Sequence, residues 1–297
     1  MSAARPHDAA LTVGVIGAGR VGAVLGAALA RAGHDVVAVS AISEASVRRA
    51  AELLPGVPVV APSEVPGLAS LLLLSVPDDA LADLVAGLAA TGTLSPGQLV
   101  VHTSGLHGLE VLEPATRAGA LPIALHPVLP FTGTEVDLAR LSGASFGVTS
   151  PEPLRPIAES LVVEMGGEPV WLPDDARPLW HAALAHGSNH LVTLVASAAD
   201  LLRQAGVEEP GRVLAPLLGA ALDGSLRAGD AVLTGPVSRG DAGTVRAHLD
   251  VLAALAPEVL PSYVAMARLT ADRALASGRL DPHAAGALLE VLGTVPR

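Results

Sequence analysis

No lysine and no cysteine occur anywhere in the sequence, and Phe, Trp and Tyr together make up only 2% of it. The absence of cysteine excludes disulfides, thiolate metal sites and cysteine nucleophiles. The absence of lysine excludes Schiff-base chemistry and any ammonium proton donor; all 18 basic residues are arginine. With so few aromatics there is no stacking platform for bases. The arginines are scattered through a chain of net charge −11, so no nucleic-acid partner is expected. Long membrane-spanning runs are missing as well. Residues 84–109 are broken by Gly92, Pro96, Gly97 and Gln98, and residues 178–199 hold three histidines and an asparagine, costly groups in lipid. The start, MSAARPHDAALTVGVIGAG, carries an acid and no long apolar stretch before any cleavage site. No secretory leader is expected, and the expected location is cytoplasmic.

What is present is aliphatic. The 297 residues are 51% hydrophobic, mostly Ala, Val and Leu, enough for a substantial core and for two domains. After a short tail (residues 1–10), apolar runs of strand length alternate with helical patterns. TVGVI, DVVAVS, a short stretch at 57–60, ASLLLLSVP, QLVVHTSG, LPIALHP and ASFGVTS read as strands, with helices at 23–32, 44–54 and after Asp78–Asp79. This grammar predicts a mostly parallel, doubly wound α/β domain over residues 11–172. Beyond the linker WLPDDARP the patterns are long and helical: 179–204, 210–227, 242–256, 257–277 and 281–292. Residues 173–297 are therefore expected to form an all-α domain.

The chemistry starts at GAGRVG, in which Gly17, Gly19 and Gly22 make G-x-G-x-x-G between a buried strand and a helix. The first glycine permits the tight turn, the second lets backbone approach a pyrophosphate, and the third packs helix on strand. Arg20 and Val21 inside the motif, and Val76 and Pro77 at the end of LLLLSVP, complete the candidate cofactor turn. NAD-specific folds place an acid at the end of the second strand. Here that position is Ser40, followed by Ser43 and Arg48, which could meet a 2′-phosphate; Glu44 is the dissenting residue. NADP is expected, with NAD the lesser alternative.

HTSG and LHP each end a predicted strand, so Ser104, Gly105 and His126 point by position to the ligand crevice of an open sheet. The competing readings are a turn serine and a capped histidine. LTGPVSRGDAGTV joins two helices; Arg239 offers a fork of donors, while Asp241 serves equally well as a plain helix cap. In HAALAHGSNHLVTL, His186 and His190 have metal-pair spacing without the intervening Glu or a third ligand, and no metal is expected. His181 and Ser188 share a helical face with Asn189 near its edge.

Taken together, GAGRVG, LLLLSVPDDAL, HTSGL, ALHPVLPFTG, HAALAHGSNHLVTL and LTGPVSRGDAGTV resemble two-domain proteins that join a Rossmann-like domain to a C-terminal domain of unknown function. They are similar to the wider 6-phosphogluconate dehydrogenase-like superfamily, whose members include β-hydroxyacid dehydrogenases, ketopantoate reductases, prephenate dehydrogenases and pyrroline-5-carboxylate reductases. The resemblance implies a nicotinamide-binding domain, a helical C-terminal domain of the 6-phosphogluconate dehydrogenase type, a cleft between them and a dimer; the Ala- and Leu-rich helices of the second half, more apolar than one small layer can hide, point to a homodimer through that domain. Ser104-Gly105 resembles a carboxylate-binding Ser-Gly motif, and His126-Pro127 a His-Pro pair near substrate. Asn189 matches an asparagine eight residues after a catalytic lysine, whose position here falls on His181. The expected function is NADP-dependent hydride transfer to or from a small carbonyl, imine or hydroxy compound. His181 would donate the proton, Asn189 would orient the substrate, and Ser104, Gly105, His126 and Arg239 would contact it. The alternative is an NADP-binding sensor that does no catalysis.

Overall fold

The computed structural model describes residues 10–294; the expected tail lies outside them but for Ala10. The chain divides into two compact units, one ending at His186 and one beginning at Gly187. The first unit is built on a seven-stranded sheet. Its strands are β1 (Thr12–Ile16), β2 (Asp35–Ser40), β3 (Leu71–Leu74), β4 (Leu99–His102), β5 (Leu121–Pro127), β6 (Ser145–Thr149) and β7 (Glu168–Trp171), in the order β2-β1-β3-β4-β5-β6-β7. All neighbours are parallel except β5 and β6. The helices of this unit are α1 (Arg20–Ala32), α2 (Glu44–Leu53), α3 (Asp78–Ala90), α4 (Glu113–Arg117), α5 (Val136–Arg140), α6 (Arg155–Glu164) and α7 (Arg177–Leu184).

Alternation along the strands explains why both faces are covered. Val13, Val15, Leu71 and Leu73 enter one core with α1, α2 and α6, while Ile16, Leu72 and Leu74 enter the other with α3. Each such leucine contributes about 2 kcal/mol of transfer free energy. Strand order reverses between β1 and β3, which places a crevice at their carboxyl ends.

Two expectations about elements need correction. The stretch 57–60 makes only an isolated bridge, Val39 with Val59, because Pro58 has no N–H with which to extend a ladder. EPVW, not among the strand-like runs read from the sequence, is the edge strand β7.

The second unit contains α8 (His190–Gln204), α9 (Pro210–Ala228), α10 (Ala242–Leu255), α11 (Leu260–Ala276) and α12 (Pro282–Gly293). Its core joins α10, α11 and α12 through residues such as Val245, Leu249, Val264, Ala271, Leu288 and Leu292. Helices α8 and α9 pack on each other, yet α8 has no fully buried residue and α9 only Pro210 and Leu214. The division of the chain falls within a π-helical turn, Ala185–Asn189. Among the described residues no helix is long and apolar enough to cross a membrane.

Candidate functional site

At the carboxyl end of β1, Gly17 adopts φ +98, a left-handed conformation that favours glycine. A Cβ there would press on the Ser75 carbonyl, and one on Gly22 would press on the Gly17 carbonyl. Val76 packs beside the same turn, and Pro77 caps α3 just beyond. Gly19 differs: a Cβ on it would find only the Ser75 oxygen, 3.9 Å away. Gly19 precedes Arg20 and Val21 in the first turn of α1, which has no capping side chain and no acidic residue. Unpartnered N–H groups and the positive end of the helix dipole thus meet open space. That arrangement fits a dinucleotide pyrophosphate.

The adenosine-side residues take other roles than those expected. Ser40 is buried, and its hydroxyl accepts from Gly17 N at 3.2 Å while its carbonyl accepts from Ala18 N at 2.9 Å. It fastens the glycine turn to β2. Ser43 caps α2 by accepting from Ser46 N. Arg48 is exposed and lies 3.6 Å from Glu44, one helical turn away. The arginine that reaches the turn is its neighbour: Arg49 Nη1 donates to the Ala18 carbonyl at 3.2 Å. Above it, Gly133 lets a loop pass close to Arg49 and Arg20. Buried Asp137 pins that loop by accepting from Thr132 N and Gly133 N at 2.8 and 2.7 Å. The inner face of α2, Ser46–Arg49–Ala50–Leu53 at i, i+3, i+4, i+7, carries the signal that distinguishes Arg49 from Arg48.

Next to this crevice, the ends of β4 and β5 and the helix α7 assemble a second group of side chains. His102 is buried; its Nδ1 accepts from Ser104 N at 3.2 Å and its Nε2 donates to the Gly108 carbonyl at 3.0 Å. Ser104 is also buried, and its hydroxyl accepts from Leu106 N and His107 N. That hydroxyl therefore holds the turn, and Gly105 is the residue the turn presents. A Cβ on Gly105 would stand 2.8 Å from both His126 Nε2 and His181 Cδ2. The two imidazoles meet edge to face with centroids 5.9 Å apart.

Trp180 and Arg177, which the sequence reading passed over, support this pair. Trp180 Nε1 donates to His126 Nδ1 at 3.0 Å. Arg177 is fully buried; its Nε donates to the His107 carbonyl at 2.8 Å and its Nη2 to the Gly147 carbonyl at 3.2 Å, while Nη1 has no hydrogen bond among the described residues. Burial lowers the Arg177 pKa to about 10, against which Asp174 acts, so it stays cationic at neutral pH. Burial first, and then this guanidinium, hold His126 at about 4 and His102 at about 3. Both imidazoles are neutral under ordinary conditions. The scarcity of tryptophan, two in the chain, and the i, i+3, i+4 spacing of Arg177, Trp180 and His181 were the available signals.

Asn189 and Arg239 belong to the second compact unit. Asn189 ends the π-helical turn, and its carbonyl accepts from Thr193 Oγ1 at 3.5 Å. Arg239 is exposed in the loop before α10, where Asp241 caps the helix through Thr244 N. Among the described residues no cluster of three or more His, Asp or Glu has the geometry of a metal site.

Comparison with known proteins agrees with this architecture. Residues 2–127 match the Rossmann-like domain family, and residues 144–270 match a domain of unknown function, DUF2520. No curated protein sequence matches the chain. Among solved structures, a Bacteroides fragilis protein assigned as an NADP oxidoreductase superposes with a TM-score of 0.76 at 24% identity, over 89% of this chain and 98% of that one. A Thermotoga maritima protein gives 0.66 at 20% identity, over 90% and 99%. The pyrroline carboxylate reductase of Plasmodium falciparum, solved with NADP bound, gives 0.56 at 11% identity, over 91% and 97%. At these identities the likeness is one of fold. The chain thus carries a Rossmann-like domain followed by a DUF2520 domain.

Proposed function

We propose that the protein is an NAD(P)-dependent oxidoreductase acting on a small carbonyl, imine or hydroxy compound. The observation that carries this reading is the meeting of His126 and His181 over Gly105, on the same edge of the sheet as the uncapped N-terminus of α1. Bound there, a nicotinamide dinucleotide would supply the hydride. The α1 N–H groups would hold its pyrophosphate, and Gly17 and Gly22 would shape the turn. His181, partly exposed on α7, would exchange the proton that accompanies hydride transfer, the task a lysine cannot perform in this chain. His126 would contact the reacting group from the β5 side. The names of the oxidoreductase neighbours support the same class.

NADP is the proposed cofactor. Ser40 brings no carboxylate to repel a 2′-phosphate, and Arg49 stands beside the turn at the end of β1. A charge-assisted hydrogen bond from such an arginine is worth about 1.5–3 kcal/mol, or roughly 10–100-fold in affinity. Fluorescence titration should therefore give NADPH a dissociation constant at least tenfold below that of NADH; equal affinities would reject the assignment. Oxidation of NADPH across a panel of carbonyl and imine compounds tests the activity itself, and tight binding with no turnover would favour a sensor. A cytoplasmic location is proposed with it. A homodimer through the helical unit is proposed from the uncovered apolar side chains of α8 and α9, among them Val192, Leu194, Leu217 and Leu226.

A further inference from the structure

An indole N–H donates a hydrogen bond and cannot accept one. Because Trp180 Nε1 lies 3.0 Å from His126 Nδ1, that nitrogen must present its lone pair. In a neutral imidazole the ring proton then sits on Nε2. Nε2 is the nitrogen that faces Gly105. Protonating Nδ1 would set two N–H groups against each other and strand the indole proton.

The surroundings keep Trp180 in this place. Gly147 on β6 is the register partner of His126 on β5. A Cβ on Gly147 would stand 3.0 Å from Trp180 Cε2 and Cζ2, so the missing side chain is what gives the indole its seat. The same glycine's carbonyl receives Arg177 Nη2. Arg177 and His181 face His126 as groups that disfavour its cation, and Asp78 opposes them more weakly than burial acts.

We propose that Trp180 is a positioning residue that locks His126 as a neutral Nε2–H donor, and that this donor receives a carbonyl oxygen rather than a protonated imine. The second half rests on the oxidoreductase reading above. A carbonyl oxygen offers lone pairs to an N–H. A protonated imine offers another N–H and a positive charge, beside a buried guanidinium. In the reducing direction a bound reduced nicotinamide would supply hydride to the carbonyl carbon and would itself be oxidised. The C=O π pair moves to oxygen, and oxygen takes a proton from His181 to give an alcohol. His126 keeps its proton throughout and steadies the developing negative charge, as a neutral imidazole can.

Long-range ¹H–¹⁵N spectra of the histidine rings in the full-length protein test the first half without a substrate, with His126 assigned by the signals lost in His126→Gln. The expected pattern is an unprotonated Nδ1 and a protonated Nε2 that persists to pH 5. In Trp180→Phe, which keeps the apolar ring, the titration midpoint should rise by about one pH unit, and the tautomer should become mixed. A protonated Nδ1 in the unaltered protein overturns the proposal, as does an unchanged titration in Trp180→Phe. If Trp180→Phe fails to fold, the tautomer of the unaltered protein still decides. For the second half, NADPH oxidation is compared between 2-oxo acids and aldehydes on one side and cyclic imines of the pyrroline type on the other. Turnover confined to carbonyls supports the proposal; turnover of imines, alone or beside carbonyls, overturns its substrate half. Failure of the oxidoreductase reading would show separately, as no turnover of either class, with or without cofactor binding, while the tautomer stays intact.

Discussion

His181 and His126 have the same ring and opposite circumstances. His126 accepts a hydrogen bond at Nδ1 and has its pKa lowered to about 4, which denies it the role of proton source at neutral pH. His181 remains the candidate for proton exchange. His181→Ala should retain NADPH affinity within about threefold and lose roughly 10²–10⁴ in turnover; near-normal turnover on a true substrate would remove it from the mechanism. Both histidines were legible in the sequence, one by its place after a strand and one by a lysine-like position. The uses of Ser40 and Ser104 were not. Each was noticed because it sits where a ligand contact should be, but the hydroxyls turn back onto the glycine turn and the HTSG turn. A serine at a strand end satisfies backbone donors as readily as a ligand, and sequence position does not separate the two. Arg48 and Arg49 lie one residue apart, and the helical face of α2 separates them: Arg49 reaches the turn while Arg48 lies beside Glu44.

At the scale of elements, the N-terminus of α1 concentrates the argument in one turn. Gly22 packs against backbone, where a methyl group finds the Gly17 carbonyl in its way. Gly22→Ala should therefore force α1 away from β1, lowering stability by about 1–3 kcal/mol and weakening NADPH binding at the same time. Thermal melts with and without NADPH check both effects, and a variant with unchanged melting temperature and affinity would show that the helix can yield. Periodicity located α9 to α12 to within a few residues, because each has an apolar stripe and a proline or a capping acid at its start. It did not anticipate the π-helical turn Ala185–Asn189. A constant 100° step cannot carry face arithmetic through a wider turn, so the shared faces deduced for HAALAHGSNH do not extend past it.

For the whole molecule, two histidines with lowered pKa values tie stability to pH. His102 and His126 are neutral when folded, with pKa values of about 3 and 4 against an ordinary 6.5. Their contribution is complete above pH 6.5 and declines as pH falls, because the unfolded chain takes up protons that the folded one refuses. Urea unfolding between pH 7.5 and 5 should lose up to about 1.4 kcal/mol per pH unit for each histidine; a flat profile would contradict the neutral pair. The proposed homodimer is tested by sedimentation at micromolar concentration. A species near twice the 29.7 kDa chain mass is expected, and a lone monomer would leave the apolar faces of α8 and α9 unexplained. Composition and periodicity by themselves determined the alternating α/β plan, the glycine turn, the helical second half and the absence of lysine and cysteine chemistry, because these depend on local pattern and on which atoms exist. The crossing of Trp180, Arg177, His126 and Gly147 was decided only in the tertiary structure. These residues come from β5, β6 and α7, and a donor that fixes a tautomer acts through a distance of 3 Å that sequence separation does not record.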